Sequence, residues 1–298
     1  MPRSDDALAP WVCTNCGFWQ RYFERPPSCP VCLDFRHPLP PGGWDFRDAA
    51  EVGATRETTW REVLGGVWML EAEPAVGIGP AGWLVETEAG NVHWEGAGWT
   101  SDAALDWIAS RGGVRWLGFS HCHVAGSAWR VAERFRPEVV VQDAQLPWAQ
   151  ALPVAWPFGA RAELAPGLEL VHTGGHTPGH SVLVWQARRL AFCGDAFKFR
   201  LDAAGRATHV STHTAYDAHI PLSHASARRY REVFSALPVD GLVTPWEAVP
   251  EGGLAAALDL LDAQLAGRPS ADWHPIPGGP LPAAAASNAN RLTGGPTP

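Results

Sequence analysis

Gly174-Gly175-His176-Thr177-Pro178-Gly179-His180 lies between two short apolar runs, 168–172 and 181–186. The glycines and the proline constrain this stretch to a tight loop between strands. Upstream, His121-Cys122-His123 follows the apolar run Val114-Arg115-Trp116-Leu117-Gly118-Phe119. Side chains two apart at a strand end point the same way, so the two imidazoles can share one metal. Downstream, Leu190-Ala191-Phe192-Cys193-Gly194-Asp195 reads as a strand that ends in a carboxylate. Histidines and an aspartate at strand ends and adjacent loops are what a metal site at one edge of a sheet requires.

Around these stretches the chain alternates strand and helix patterns. Strands are predicted at 82–87, 114–119, 138–142, 168–172, 181–186, 189–193 and 241–244, where β-branched and aromatic residues stand between Gly, Pro or Asp. Helices are predicted at 101–110, 127–136, 223–236 and 252–266, with Ser101 or Asp102 as a cap and Gly267 as a stop. The alternation predicts a layered α/β domain. Composition divides the chain into a cysteine-bearing segment with its linker at 1–43, the α/β domain at 44–266, and a Pro/Gly/Ala-rich, loosely packed tail at 267–298. No internal repeat is present.

Cys13-x2-Cys16-x12-Cys29-x2-Cys32 is a strong signal. Each CxxC knuckle turns two thiolates toward one point, and two knuckles close a four-thiolate site for zinc or iron. The segment is similar to zinc ribbons and to rubredoxin-like modules. Leu33 stands where rubredoxins place a glycine after the last cysteine, which favours structural zinc over iron.

The order HxH, then GHTPGH, then F-C-G-D resembles the metallo-β-lactamase fold superfamily, and its hydroxyacylglutathione hydrolases in particular. The resemblance spans about residues 60–265 and implies an αββα sandwich with the metal at one edge. By motif position it implies His121, His123 and His176 as ligands of one zinc or iron ion, with Asp195 as a further ligand or the catalytic carboxylate. The superfamily motif HxHxDH reads here His121-Cys122-His123-Val124-Ala125-Gly126, so Ala125 and Gly126 replace two second-metal residues. The superfamily's final histidine falls in Val243-Thr244-Pro245-Trp246-Glu247, which offers Trp246 instead. The site is therefore expected to be mononuclear. A branch of the superfamily that joins a CxxC module to a domain with the same substitutions shows a similar architecture.

The resemblance also suggests supporting roles. His180 is expected to brace the metal loop, and Glu95 falls where the superfamily often has a buried aspartate near the metal. His213 and His219 lie in a histidine-rich segment after Asp195, where one could replace a lost ligand or act as a base. Cys122 and Cys193 are expected to pack rather than react. The 16 tryptophans suit an aromatic-walled pocket or ordinary core packing.

The 298 residues are 46% apolar and carry a net charge of −8, which excludes wholesale disorder and argues against nucleic acid or an anionic membrane as partner. Lys198 is the one lysine among 23 basic residues. The polar start, the absence of a long apolar run and the paired cysteines predict a cytoplasmic protein with a small-molecule substrate. Three functions fit. The first is a metal-dependent hydrolase of an ester, thioester, lactone or phosphoester. The second is a non-catalytic binding or regulatory protein. The third is a non-haem iron oxygenase resembling the persulfide dioxygenases, with His121, His176 and Asp195 as a 2-His-1-carboxylate set.

Overall fold

A computed structural model describes residues 7–33, 39–149, 151–212, 222–267 and 273–286. The chain forms two compact units. One comprises the residues up to Val141 together with Leu146–Pro157, and the other Gln142–Gln145 together with the residues from Phe158 onward.

The first unit opens with a three-stranded antiparallel sheet, in which β1 (Ala9–Cys13) lies between β2 (Trp19–Tyr22) and β3 (Phe46–Asp48). A short helix α1 (Ala49–Gly53) follows, started by a reciprocal capping box between Asp48 and Glu51. Then come β4 (Glu57–Leu64), β5 (Val67–Glu73), β6 (Gly82–Val85), β7 (Val92–Trp94), α2 (Asp102–Ser110), β8 (Trp116–Gly118), α3 (Ala128–Phe135), β9 (Glu138–Gln142) and β10 (Val154–Phe158). They build a seven-stranded sheet ordered β10-β9-β8-β7-β6-β5-β4. Strands β4 to β7 pair antiparallel, whereas β7-β8 and β8-β9 are parallel. Parallel neighbours need crossovers, which α2 and α3 supply. Leu70, Leu84, Ile108, Leu117, Val131 and Val139 form the core beneath the sheet.

The second unit contains β11 (Arg161–Ala165), β12 (Leu168–His172), β13 (Ser181–Trp185), β14 (Leu190–Phe192), β15 (Lys198–Leu201), β16 (Arg206–Ser211), α4 (His224–Ser235), β17 (Gly241–Val243), β18 (Glu247–Val249), α5 (Gly253–Leu265), β19 (His274–Pro275), β20 (Leu281–Pro282) and β21 (Ala285–Ala286). Its main sheet runs β11-β12-β13-β14-β17-β18-β21, and β15, β16, β19 and β20 form a smaller one. Tyr230 and Phe234 of α4 and Leu260 and Leu261 of α5 share one core with Phe197, Phe199 and Leu242.

All four predicted helices form within a residue of their expected bounds. Each predicted strand is present, most of them trimmed at the ends. The hairpin β4–β5 carries no clean alternation and was not legible. Residues 273–286 also differ from the loose tail expected of 267–298. Three two-residue strands there pair with β16 and β18, and Ile276 is buried. Their prolines stand at sheet margins, where a missing N–H costs no ladder bond. Among the described residues, no helix is long and apolar enough to cross a membrane.

Candidate metal centres

The four cysteines of the first unit converge. Their sulfurs lie within 4.8 Å of one another, with Cys13 Sγ 3.8 Å from Cys32 Sγ and Cys16 Sγ 3.6 Å from Cys29 Sγ. A tetrahedral ion with ~2.3 Å metal–sulfur bonds requires sulfur–sulfur edges of about 3.8 Å, so the set fits such an ion. All four are buried free thiols. The thiols of Cys13, Cys16 and Cys29, with Asn15 Nδ2 at 3.3 Å, hold the Cys32 thiol far below the usual range. Cys16 is pushed up by its three sulfur neighbours and by burial, and Cys29 by Cys13, Cys32 and burial against a lowering from Cys16. A cation among them would let all four serve as thiolates.

His121 and His123 lie where β8 ends and before α3 begins. Their rings meet edge to face, with centroids 4.9 Å apart, and both are buried. The means differ from the expected strand alternation. His121 is extended, but Cys122–Val124 winds into a 3₁₀ turn that brings His123 back beside it. Ser120 Oγ lies 2.9 Å from His121 Nδ1, which leaves Nε2 as the nitrogen suited to a metal. Glu95 braces this segment. Its Oε2 accepts from Ser120 N at 3.1 Å, and its backbone is left-handed (φ 60°), a strained conformation for a non-glycine residue.

The glycine at 126 reflects packing. Gly126 has φ +46°, and a Cβ there would lie 2.2 Å from Gly96 O and 2.4 Å from Ala97 O. A Cβ on Gly96 would in turn lie 2.0 Å from Ala125 O. Two backbone segments thus occupy the space that a Cβ at 126 would need.

The second unit carries His176, His180 and Asp195. His176 Nε2 is 3.7 Å from Asp195 Oδ2, and both side chains are buried. Ligand atoms about 2.1 Å from one tetrahedral ion lie ~3.4 Å apart, so this pair too fits a shared ion. His180 Nδ1 lies 2.6 Å from Thr173 Oγ1, within the base of the loop. Cys193 packs in the apolar core. Trp246 is buried and carries the Lys198 ammonium 4.1 Å from its ring centroid. Beside it, burial pushes the Glu247 carboxyl up to about 7, against the opposing Thr244 hydrogen bond and Lys198 charge.

Two residues of this unit escaped the sequence reading. Tyr230 Oη accepts from His176 N at 2.9 Å, and its ring closes on Gly175, where a Cβ would lie 2.4 Å from Cε1. Nothing in the sequence around Tyr230 marks that role, because it depends on where α4 lands. Lys198 did carry a signal, its uniqueness among the basic residues. His213 and His219 lie outside the described residues.

The model of the metallo-beta-lactamase superfamily matches residues 36–242. A relative in sequence is the uncharacterized protein YmaE of Bacillus subtilis (strain 168), 26% identical over 181 residues, 59% of this chain and 66% of that protein. The chain thus spans just under two thirds of that relative's length. Among solved structures, VMB-1 matches with a TM-score of 0.53 at 15% identity, covering 70% of this chain and 99% of that one. A metallo-β-lactamase from Erythrobacter litoralis matches with a TM-score of 0.50 at 19% identity, covering 69% and 96%. These two likenesses concern the fold alone, a mixed α/β fold preceded here by the four close cysteines.

Proposed function

The chain belongs to the metallo-β-lactamase superfamily, and from that membership we propose that it is a metal-dependent hydrolase with a mononuclear site, acting on an ester, thioester, lactone or phosphoester. The observation that carries this reading is the retention of four buried metal-type donors, His121, His123, His176 and Asp195, each on a motif the superfamily uses. Buried imidazoles and carboxylates cost stability unless something compensates them. Their burial, with each on a motif that the superfamily uses, supports a ligand role.

His121, His123 and His176 would hold one zinc or iron ion, with Asp195 as fourth ligand or proton acceptor. When bound, such an ion lowers the pKa of a coordinated water and polarises the scissile carbonyl or phosphoryl oxygen. The chain's own residues supply the rest. Ser120 orients the His121 ring, Glu95 holds Ser120, and Tyr230 with Thr173 keeps the His176 loop in place. As proton acceptor, Asp195 would take up the proton of an activated water, in place of the carboxylate that Ala125 removes. A second ion is disfavoured twice, by the backbone packed against Gly126 and by the Lys198 ammonium on Trp246. The four cysteines are assigned a structural zinc. A small-molecule substrate and a cytoplasmic location belong to the same reading.

Elemental analysis of the purified protein, together with turnover of an ester, a lactone and a phosphodiester, tests it. One metal at the cysteines and one at the histidines is expected. Turnover should be abolished by chelation, by His121→Ala and by Asp195→Ala. Chelator-insensitive turnover, or histidines that bind no metal and support no turnover, would sink the hydrolase reading.

A further inference from the structure

The four-cysteine segment does not stand apart from the histidine segment in the first unit. Cys122, between His121 and His123, is buried in the same apolar cluster as Cys13, Cys16, Cys29 and Cys32, together with Phe18, Val31 and Phe46. A second path runs through residues 96–100. Trp19 Nε1 donates to Gly98 O at 3.0 Å, and the Trp19 ring packs on Trp99 and Trp129 with centroids 5.7 and 5.5 Å away. The other side of that loop is bonded to the histidine turn. Gly96 N donates to Val124 O at 2.8 Å and Ser127 N to Ala97 O at 2.9 Å. The cysteine knuckle itself is pressed on residue 77, where a Cβ would lie 2.0 Å from Gly17 N.

We propose that the four-cysteine centre positions the metal-binding histidines, with the buried cluster that includes Cys122 as one link and the 96–100 loop as the second. Closing four sulfurs on one ion orders the knuckles at Cys13–Cys16 and Cys29–Cys32. The knuckle cysteines belong to the same buried cluster as Cys122. Close-packed interiors transmit such order because neighbouring atoms have no room to shift independently. The 3₁₀ turn that brings His123 beside His121 is therefore held from the cysteine side. Cys122 is a positioning residue: its flanking histidines, not its own thiol, meet the metal. The inference rests on the histidines being a metal site, as proposed above.

Coupling between two sites is reciprocal, so each metal must tighten the other by the same factor. Cobalt(II) separates the two, since thiolate-bound cobalt shows intense sulfur-to-metal charge-transfer bands that imidazole-bound cobalt lacks. In the full chain, cobalt affinity at the histidines is measured with the cysteines loaded and stripped. Chelator competition at the cysteines is then measured with the histidines loaded and empty. About tenfold tightening is expected in both directions, the size of effect that removing an orienting group has on a metal site. Cys122→Ala should bring both ratios toward one while keeping one metal per site. Ratios of one in the unsubstituted protein, or ratios that Cys122→Ala leaves unchanged, overturn the proposal. Amide exchange over 119–126 keeps it testable if the histidines bind no metal. Filling the cysteines should then still slow exchange there, and unchanged exchange overturns the inference independently of the hydrolase reading.

Discussion

The His121–His123 segment of the first unit and the His176 loop of the second carry the same kind of donor but differ in what packs against their glycines. In the first unit, backbone presses on backbone. Gly96 and Gly126 leave no room for a Cβ on either chain segment, and main-chain bonds run between them, from Gly96 N to Val124 O and from Ser127 N to Ala97 O. In the second, the loop closes on itself through main-chain bonds between Thr173 or Gly174 and His180, and side chains press on it from outside. Tyr230 takes the His176 N–H, Thr173 lies against His180, and Arg229 Nε donates to Thr173 O at 2.6 Å. A side-chain bond can be removed singly. Two backbones in van der Waals contact cannot give way without moving the segments themselves. A side chain at position 126 is therefore refused by the main chain itself, and under the proposed mononuclear reading replacing two residues would not rebuild a second site.

The largest effect follows from that refusal. Gly126→His supplies the imidazole that the superfamily pattern places there, yet it should destabilise the first unit by about 4 kcal/mol, because its Cβ and its positive φ are both refused. Denaturant unfolding and metal analysis check this together. A variant that stays fully stable and binds a second ion at the histidines would break the contrast between the two segments.

Titration should separate the units next. Burial holds the His93 imidazole of β7 down to about 4 from its ordinary 6.5. The unfolded chain then takes up a proton before the folded one, so stability is complete above pH 6.5 and is lost as pH falls toward 4. Glu247 in the second unit behaves oppositely, because burial raises it from 4.5 to about 7. There stability is complete below pH 4.5 and is lost as pH rises through 7. Each shift corresponds to about 3 kcal/mol. Amide exchange of the two seven-stranded sheets, followed from pH 4 to 8, should show the first gaining protection and the second losing it. His93→Gln and Glu247→Gln should each flatten one of the two profiles, and parallel profiles in the two sheets would contradict the contrast.

The smallest effect probes the side-chain support. Tyr230→Phe removes one hydrogen bond to the His176 backbone, costing about 1 kcal/mol of stability. Metal affinity at the histidines should fall about tenfold, while the four-cysteine site keeps its metal. A change of similar size at both sites would mean that α4 supports the whole fold and not the loop in particular.

The cysteine centre was legible because its donors lie within 20 residues and the CxxC spacing sets the geometry of each knuckle. The superfamily, its motif order and the absence of second-site ligands at Ala125, Gly126 and Trp246 could likewise be read from the chain, since they depend on residue identity at short range. The tertiary structure decided what stands in the vacated positions: the Gly96–Ala97 main chain against Gly126, and Lys198 on the face of Trp246. It also decided that Tyr230 props the His176 loop from 54 residues away, and that Cys122 shares a cluster with four cysteines about a hundred residues earlier. These relations depend on which surfaces meet when sheets and helices pack. Residue type and spacing announce which groups can bind a metal, but the neighbours that hold those groups in place come from distant chain segments and leave no local pattern.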